Sequence, residues 1–144
     1  MTQTPASILH LNLPVTDLEK SLAFYINGLG FRYVQHLREG KVILDFDGFN
    51  FFLEVSDRSL SHDRFHLGIK TTAEGVYEWA RKIAEKGIPQ VVGNQPTGRA
   101  EIYTTPDGVR TVFYMADPDG HIIEVYSHVG VDTGFVRAGY GAAV

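Results

Sequence analysis

Hydrophobic and polar positions alternate from the start of the chain. Leu9, Leu11 and Leu13 fall on one face and Ile8, His10 and Asn12 on the other, which predicts a strand over Ile8–Pro14. Thr16-Asp17-Leu18-Glu19 then reads as a Ser/Thr-x-x-Glu capping box that opens a helix. That helix carries Leu18, Leu22, Ala23 and Tyr25 and stops at Gly28-Leu29-Gly30. Three strands follow at Phe31–Leu37, Lys41–Phe46 and Phe49–Ser56, separated by short Gly- and Asp-containing turns. The first half is therefore β-α-β-β-β.

The second half repeats the plan. In Phe65–Lys70, Phe65, Leu67 and Ile69 oppose His66, Gly68 and Lys70. Thr71-Thr72-Ala73-Glu74 is a second capping box, its helix packs Val76, Ala80, Ile83 and Ala84, and Gly87 ends it. Strands are predicted at Pro89–Val92, Arg110–Ala116 and His121–Ser127, with a polar loop over Gly93–Arg99. Glu101–Thr104 is either a further strand or part of that loop. The halves also match residue by residue. Leu9-His10-Leu11 matches Phe65-His66-Leu67, and Leu29-Gly30-Phe31 matches Lys86-Gly87-Ile88. Asp45-Phe46-Asp47-Gly48 matches Asp117-Pro118-Asp119-Gly120, and Phe52-Leu53-Glu54-Val55 matches Ile122-Ile123-Glu124-Val125. The first copy has two extra residues between its Gly and its Glu, an even number that keeps Glu54 on the same strand face. Duplication accounts for the pattern. The expected organisation is a single α+β domain over 1–144, made of repeats at about 7–57 and 64–128. A Gly-containing tail over 129–144, with Phe135 and Tyr140, either stays loose or folds over the site entrance.

Composition narrows the function. The chain has 144 residues, 44% of them hydrophobic, with nine Phe and seven Tyr, enough to bury a core. The apolar runs are too short to span a bilayer, and the N-terminus lacks a signal-peptide pattern. The absence of cysteine removes disulfides, thiolate metal sites and cysteine nucleophiles, and agrees with a cytoplasmic location. A net charge of −4 without a Lys/Arg cluster argues against nucleic acid and anionic membranes as partners.

Each repeat offers one His near its first strand and one Glu near its last: His10 and Glu54, His66 and Glu124. Pseudo-twofold packing of the copies would let all four converge on one cleft. An ionised Glu among apolar neighbours is costly unless it is paired or metal-bound. Two imidazoles with one or two carboxylates suit one divalent first-row ion, leaving Fe, Mn, Ni, Co and Zn open. Any one of these residues taken alone reads equally as an ordinary strand residue; the matched placement singles them out. His36 and His62 read as exposed, His121 follows a turn on the opposite parity from Glu124, and His128 lies past the last strand.

Three stretches together carry a family resemblance: Ile8-Leu9-His10-Leu11 with Asp17–Tyr25, Phe65-His66-Leu67, and Phe113–Glu124 with its Asp-Pro-Asp-Gly-His turn. They resemble the vicinal oxygen chelate superfamily, which includes glyoxalase I, fosfomycin-resistance proteins, extradiol dioxygenases, methylmalonyl-CoA epimerase and bleomycin-binding proteins. The resemblance implies two tandem βαβββ modules forming a half-barrel cup around a metal, often in a homodimer. It implies metal ligands at His10, His66 and Glu124. Glu54 fits the fourth ligand of glyoxalase I, and Tyr114 matches the active-site Tyr of extradiol dioxygenases. Asn12, Phe52 and Tyr103 are expected to contact a small substrate with adjacent oxygen atoms. The region after the last strand lacks the basic residues of fosfomycin-resistance proteins. The His that the dioxygenase motif wants upstream is replaced by Thr105-Pro106-Asp107.

The expected activity is therefore glyoxalase I-like lyase or isomerase chemistry. Glu54 serves it either as a ligand that detaches or as a free base beside a Lewis-acidic metal. The alternatives are an Fe(II) extradiol-type dioxygenase, a fosfomycin-type resistance protein, and a metal-free drug-binding protein with a lining drawn from Phe51, Phe52, Tyr103 and Tyr114.

Overall fold

The computed structural model describes residues 4–62 and 64–130. The elements run β1 (His10–Val15), α1 (Leu18–Leu22), β2 (Arg32–Arg38), β3 (Lys41–Phe46), β4 (Phe49–Val55), β5 (His66–Lys70), α2 (Ala73–Glu85), β6 (Tyr103–Thr104), β7 (Arg110–Ala116) and β8 (Ile122–His128). The chain divides into two compact units between Leu60 and Ser61. Each is a βαβββ module with a four-stranded mixed sheet, so the architecture is the expected α+β type. Among the described residues no helix is long and apolar enough to cross a membrane.

In the first unit the strand order is β1-β4-β3-β2, with β1 parallel to β4 and the other pairs antiparallel. Leu13, Val15, Val42, Leu44, Phe51 and Leu53 are buried together with Tyr25, Leu29 and Phe31. Phe31 anchors this layer, its ring centroid 5.2 Å from Tyr25 and 4.9 Å from Phe51. The alternate residues His10, Asn12, Lys41, Phe52 and Glu54 lie on the other face. Leu9 departs from expectation: it precedes the strand and is exposed.

The helix start also shifts by one residue. Asp17, not Thr16, is the N-cap, and its carboxylate accepts from the Lys20 N–H at 3.1 Å. After five residues α1 widens into a π-helical turn over Ala23–Gly28, which closes with Leu29 N–H donating to Phe24 O at 3.0 Å. The edge strand β2 is exposed along its length, and its register against β3 breaks between Tyr33 and Gln35 and again between His36 and Arg38.

The second unit orders its strands β5-β8-β7-β6, with β5 parallel to β8. Its core joins Val76, Ala80 and Ile83 of α2 to Phe113, Met115, Ile123 and Val125, while Val112 is buried on the opposite sheet face. The N-cap is Thr72 rather than Thr71; its hydroxyl accepts from Gly75 N–H at 3.0 Å. Thr71 instead packs over the helix start, where its Oγ1 would lie 2.1 Å from a Cβ at residue 75, so glycine is required there. The predicted strand Pro89–Val92 is reduced to one bridge, Val91 to Tyr114. Gly93, at φ +53°, turns the chain immediately afterwards and ends the extended path. Glu101–Thr104 contributes only the two residues of β6. β8 runs one residue beyond expectation and takes in His128. Of the 129–144 tail, Val129 and Gly130 are described; Phe135 and Tyr140 lie outside the described residues.

Candidate metal and substrate site

In the second unit β5 and β8 run parallel with His66 opposite Ile122 and Gly68 opposite Glu124. The imidazole thus comes beside the carboxylate, with His66 Nε2 at 2.9 Å from Glu124 Oε2. Glu124 is nearly buried, its side chain 7% exposed. His66 Nδ1 lies 3.1 Å from the carbonyl oxygen of Arg64. That oxygen can only accept, so Nδ1 carries a proton, and Nε2 is the ring atom that faces the carboxylate, where it can give a proton to Glu124 or a lone pair to a metal. An imidazole nitrogen and a carboxylate oxygen 2.9 Å apart share either a proton or a cation. The donor set therefore fits a divalent ion: an imidazole nitrogen with its other nitrogen tied to a carbonyl, next to a buried carboxylate.

Glu124 also has a cationic partner. Arg110 on β7 donates to its Oε1 at 2.5 Å and to the Tyr114 hydroxyl at 3.4 Å. Burial and then the Glu124 charge push the Tyr126 phenol above its ordinary range. Tyr114 is buried, directly opposite Glu124 in the β7–β8 register, and its ring meets His66 edge-on at 6.2 Å. The backbone of Gly93 closes over that ring: a Cβ at residue 93 would fall 2.3 Å from Tyr114 Cγ. An open cavity of about 350 Å³ includes Arg64, Asn94 and Ile122 in its lining, and Ile122 is the β8 residue paired with His66. Arg64 Nη1 donates to Asn94 Oδ1 across it at 3.1 Å.

In the first unit the same strand pairing gives a different result. His10 lies opposite Asn50, Asn12 opposite Phe52, and Pro14 opposite Glu54. Glu54 shares the face of His10, as the even insertion requires, but stands one pleat repeat further along, about 7 Å. Glu54 is therefore not the positional equivalent of Glu124, a correction to the match read from the sequence. Phe52 fills that position, and His10 stacks on it with centroids 4.5 Å apart and ring planes 16° from parallel.

Glu54 is held by Asn12 Nδ2 at 3.1 Å, by the Arg38 guanidinium, and by Lys41 Nζ at 3.4 Å. The Asn12 hydrogen bond first, and then the Arg38 contact, lower its pKa below the usual glutamate value. Lys41 also sits over the Phe52 ring at 5.6 Å.

Among the described residues, no three His, Asp or Glu side chains gather within either unit. The structure brings together His66, Glu124 and Tyr114 in one unit, and His10 with Phe52 and Asn12 with Glu54 in the other. Tyr103 lies on β6 opposite Val112. Sequence reasoning missed Arg110, Arg38, Lys41 and Arg64. Arg110 was detectable, because it shares the strand face of Tyr114 on a strand that pairs with that of Glu124. His121, which the sequence presents as an ordinary residue after a turn, is buried, and its Nδ1 lies 2.8 Å from Asp117 Oδ2.

The model of the Glyoxalase/Bleomycin resistance protein/Dioxygenase superfamily matches residues 7–125. The chain is 32% identical over 120 residues to a trivalent organoarsenical cleaving enzyme of a Bacillus species, covering 81% of this chain and 70% of that one. It is 30% identical over 128 residues to a lactoylglutathione lyase of Neisseria meningitidis, covering 81% and 87%. A genomically encoded fosfomycin resistance protein from Listeria monocytogenes superposes with a TM-score of 0.72 at 19% identity, covering 88% of this chain and 97% of that one; the likeness is one of fold.

Proposed function

Because the chain belongs to the Glyoxalase/Bleomycin resistance protein/Dioxygenase superfamily, we propose that it is a divalent-metal-dependent enzyme of the glyoxalase I-like type. It acts as a lyase or isomerase on a small molecule with two adjacent oxygen atoms. The observation that carries this reading is the approach of His66 Nε2 to the nearly buried Glu124 Oε2 at 2.9 Å, a nitrogen and an oxygen donor close enough to share one divalent ion. His66 and Glu124 are the proposed ligands from the second unit and His10 the third from the first. The proposed assembly is a homodimer. The metal, when bound, polarises a substrate carbonyl and acidifies the adjacent C–H bond.

The chain's own groups supply the rest. Glu54 is the proposed base, accepting the proton from that carbon and returning it to the neighbouring one. Its contacts keep it ionised, the form that can accept a proton, although its lowered pKa makes it a weak base that depends on an acidified C–H. Asn12 orients the Glu54 carboxylate, Phe52 and Tyr103 offer apolar contact, and the Tyr114 hydroxyl hydrogen-bonds a substrate oxygen. The similarity to the lactoylglutathione lyase supports this reading. Transfer of the organoarsenical activity is disfavoured, because trivalent arsenic is soft and prefers sulfur donors, and the chain has no cysteine.

Metal analysis of the purified protein tests the proposal. The parent should carry close to one nickel, zinc, cobalt or manganese ion per chain, and His66→Ala and Glu124→Ala should lose it. Bound iron would favour the dioxygenase alternative, and unchanged metal content in both variants would overturn the ligand assignment.

A further inference from the structure

We infer that Arg110 is a positioning residue of this site: it occupies one oxygen of Glu124 and so presents the carboxylate to the metal through the other oxygen alone. The inference rests on the metal reading above and adds a residue and a coordination mode to it.

The two oxygens of Glu124 are unequal. Oε1 receives the Arg110 guanidinium at 2.5 Å, and Oε2 faces His66 Nε2 at 2.9 Å. A divalent ion chelated by both oxygens would stand about as close to Oε1 as to Oε2, at roughly 2.0–2.2 Å from each. It would then crowd a guanidinium that cannot lose its charge. With Glu124 only 7% exposed, little water screens that repulsion. The ion is thereby directed to Oε2, the oxygen that His66 already faces. A carboxylate bound through one oxygen leaves one more position on the metal than a chelating carboxylate does. That position is what a substrate with two adjacent oxygens needs in order to bind through both.

Arg110 is placed for this by its backbone as well as its side chain. Its N–H donates to Thr105 Oγ1 at 3.0 Å, and its carbonyl accepts from Thr105 N–H at 2.9 Å. Asp107 Oδ1 in turn takes the Thr105 hydroxyl at 2.6 Å and the Val109 N–H at 3.0 Å. The turn between β6 and β7 is therefore tied at the residue from which the guanidinium departs. The Tyr114 hydroxyl at 3.4 Å gives that guanidinium a second acceptor.

The test loads Co(II) into the full-length parent, Arg110→Met and Arg110→Lys, and records visible absorption and affinity by chelator competition. Co(II) bands weaken and move to shorter wavelength as the coordination number rises. Arg110→Met frees Oε1, so its band should weaken and shift relative to the parent as Glu124 chelates. Arg110→Lys keeps the charge and guards the fold, but cannot span Glu124 and Tyr114. It should shift in the same direction by less, and it decides the matter if Arg110→Met does not fold. Parent-like spectra from the folded variants would overturn the role of Arg110 while leaving the metal reading intact. A parent that binds no Co(II) would overturn the metal reading itself.

Discussion

Phe52 occupies in the first unit the register position that Glu124 occupies in the second. Phe52 lies opposite Asn12, two residues past His10, and Glu124 lies opposite Gly68, two residues past His66. The cause is the preceding turn. Phe46 pairs with Phe49 across the two-residue turn Asp47-Gly48, both at positive φ, the geometry of a tight type I′ hairpin. Pro118 cannot adopt positive φ, and the second turn widens so that Ala116 pairs with Ile122. The two histidines therefore meet different neighbours: a ring in one unit, a carboxylate in the other.

The His10–Phe52 stack should be measurable. Phe52→Ala should lower stability by about 1 kcal/mol, the scale of an aromatic pair on a half-buried face. Urea unfolding should show a lower midpoint with unchanged slope, and the His10 ring protons should lose their ring-current shift in NMR spectra.

Glu54 should titrate below the ordinary glutamate range. Its folded pKa is lowered, chiefly by Asn12 and then Arg38, so its contribution to stability is present above the unfolded value and is lost as pH falls through the folded one. Asn12→Leu and Arg38→Met should each move the pKa upward in side-chain carboxyl NMR titrations. Glu54→Gln should keep the fold and, once a substrate is in hand, lose turnover by about 100-fold or more, as expected for a missing general base; near-normal turnover would leave Glu54 without a catalytic role.

Asp117 and His121 form a buried pair at the β7–β8 turn. Asp117 Oδ1 also accepts the N–H groups of Asp119 and His121 at 2.9 and 2.8 Å. Asp117→Ala strands the imidazole and both amides, and should cost about 3 kcal/mol, the scale of leaving buried donors without an acceptor. Denaturant unfolding checks this.

Gly93→Ala should be costly for two reasons at once. The backbone is left-handed there, and the new Cβ would run into Tyr114. A loss of about 2 kcal/mol or more is expected. Near-UV circular dichroism should also report the displaced Tyr114 ring.

Much of this was legible in the chain. The period-two alternation of β1 and β5 and the repeated His and Glu positions identified both modules and the faces of His66 and Glu124. Three things were not. Capping by Asp17 and Thr72 rather than Thr16 and Thr71 depends on which oxygen reaches the free N–H groups, a matter of one residue. The offset of Glu54 depends on turn conformation, which face parity does not encode. The ionic partners Arg38 and Lys41 are long side chains whose ends reach across strands, so their positions in the sequence say little about where their charges act.

The breaks in β2 bear on how the protein behaves in concentrated solution. An exposed edge carrying Tyr33, Val34 and Leu37 offers a surface onto which another chain could add a strand. Such growth requires an evenly spaced row of N–H and C=O groups, and two bulges within seven residues interrupt that row. Arg32 and Arg38 place a positive charge at each end of it. The irregular edge thereby protects the molecule against fibrillar aggregation while leaving its apolar side chains in water.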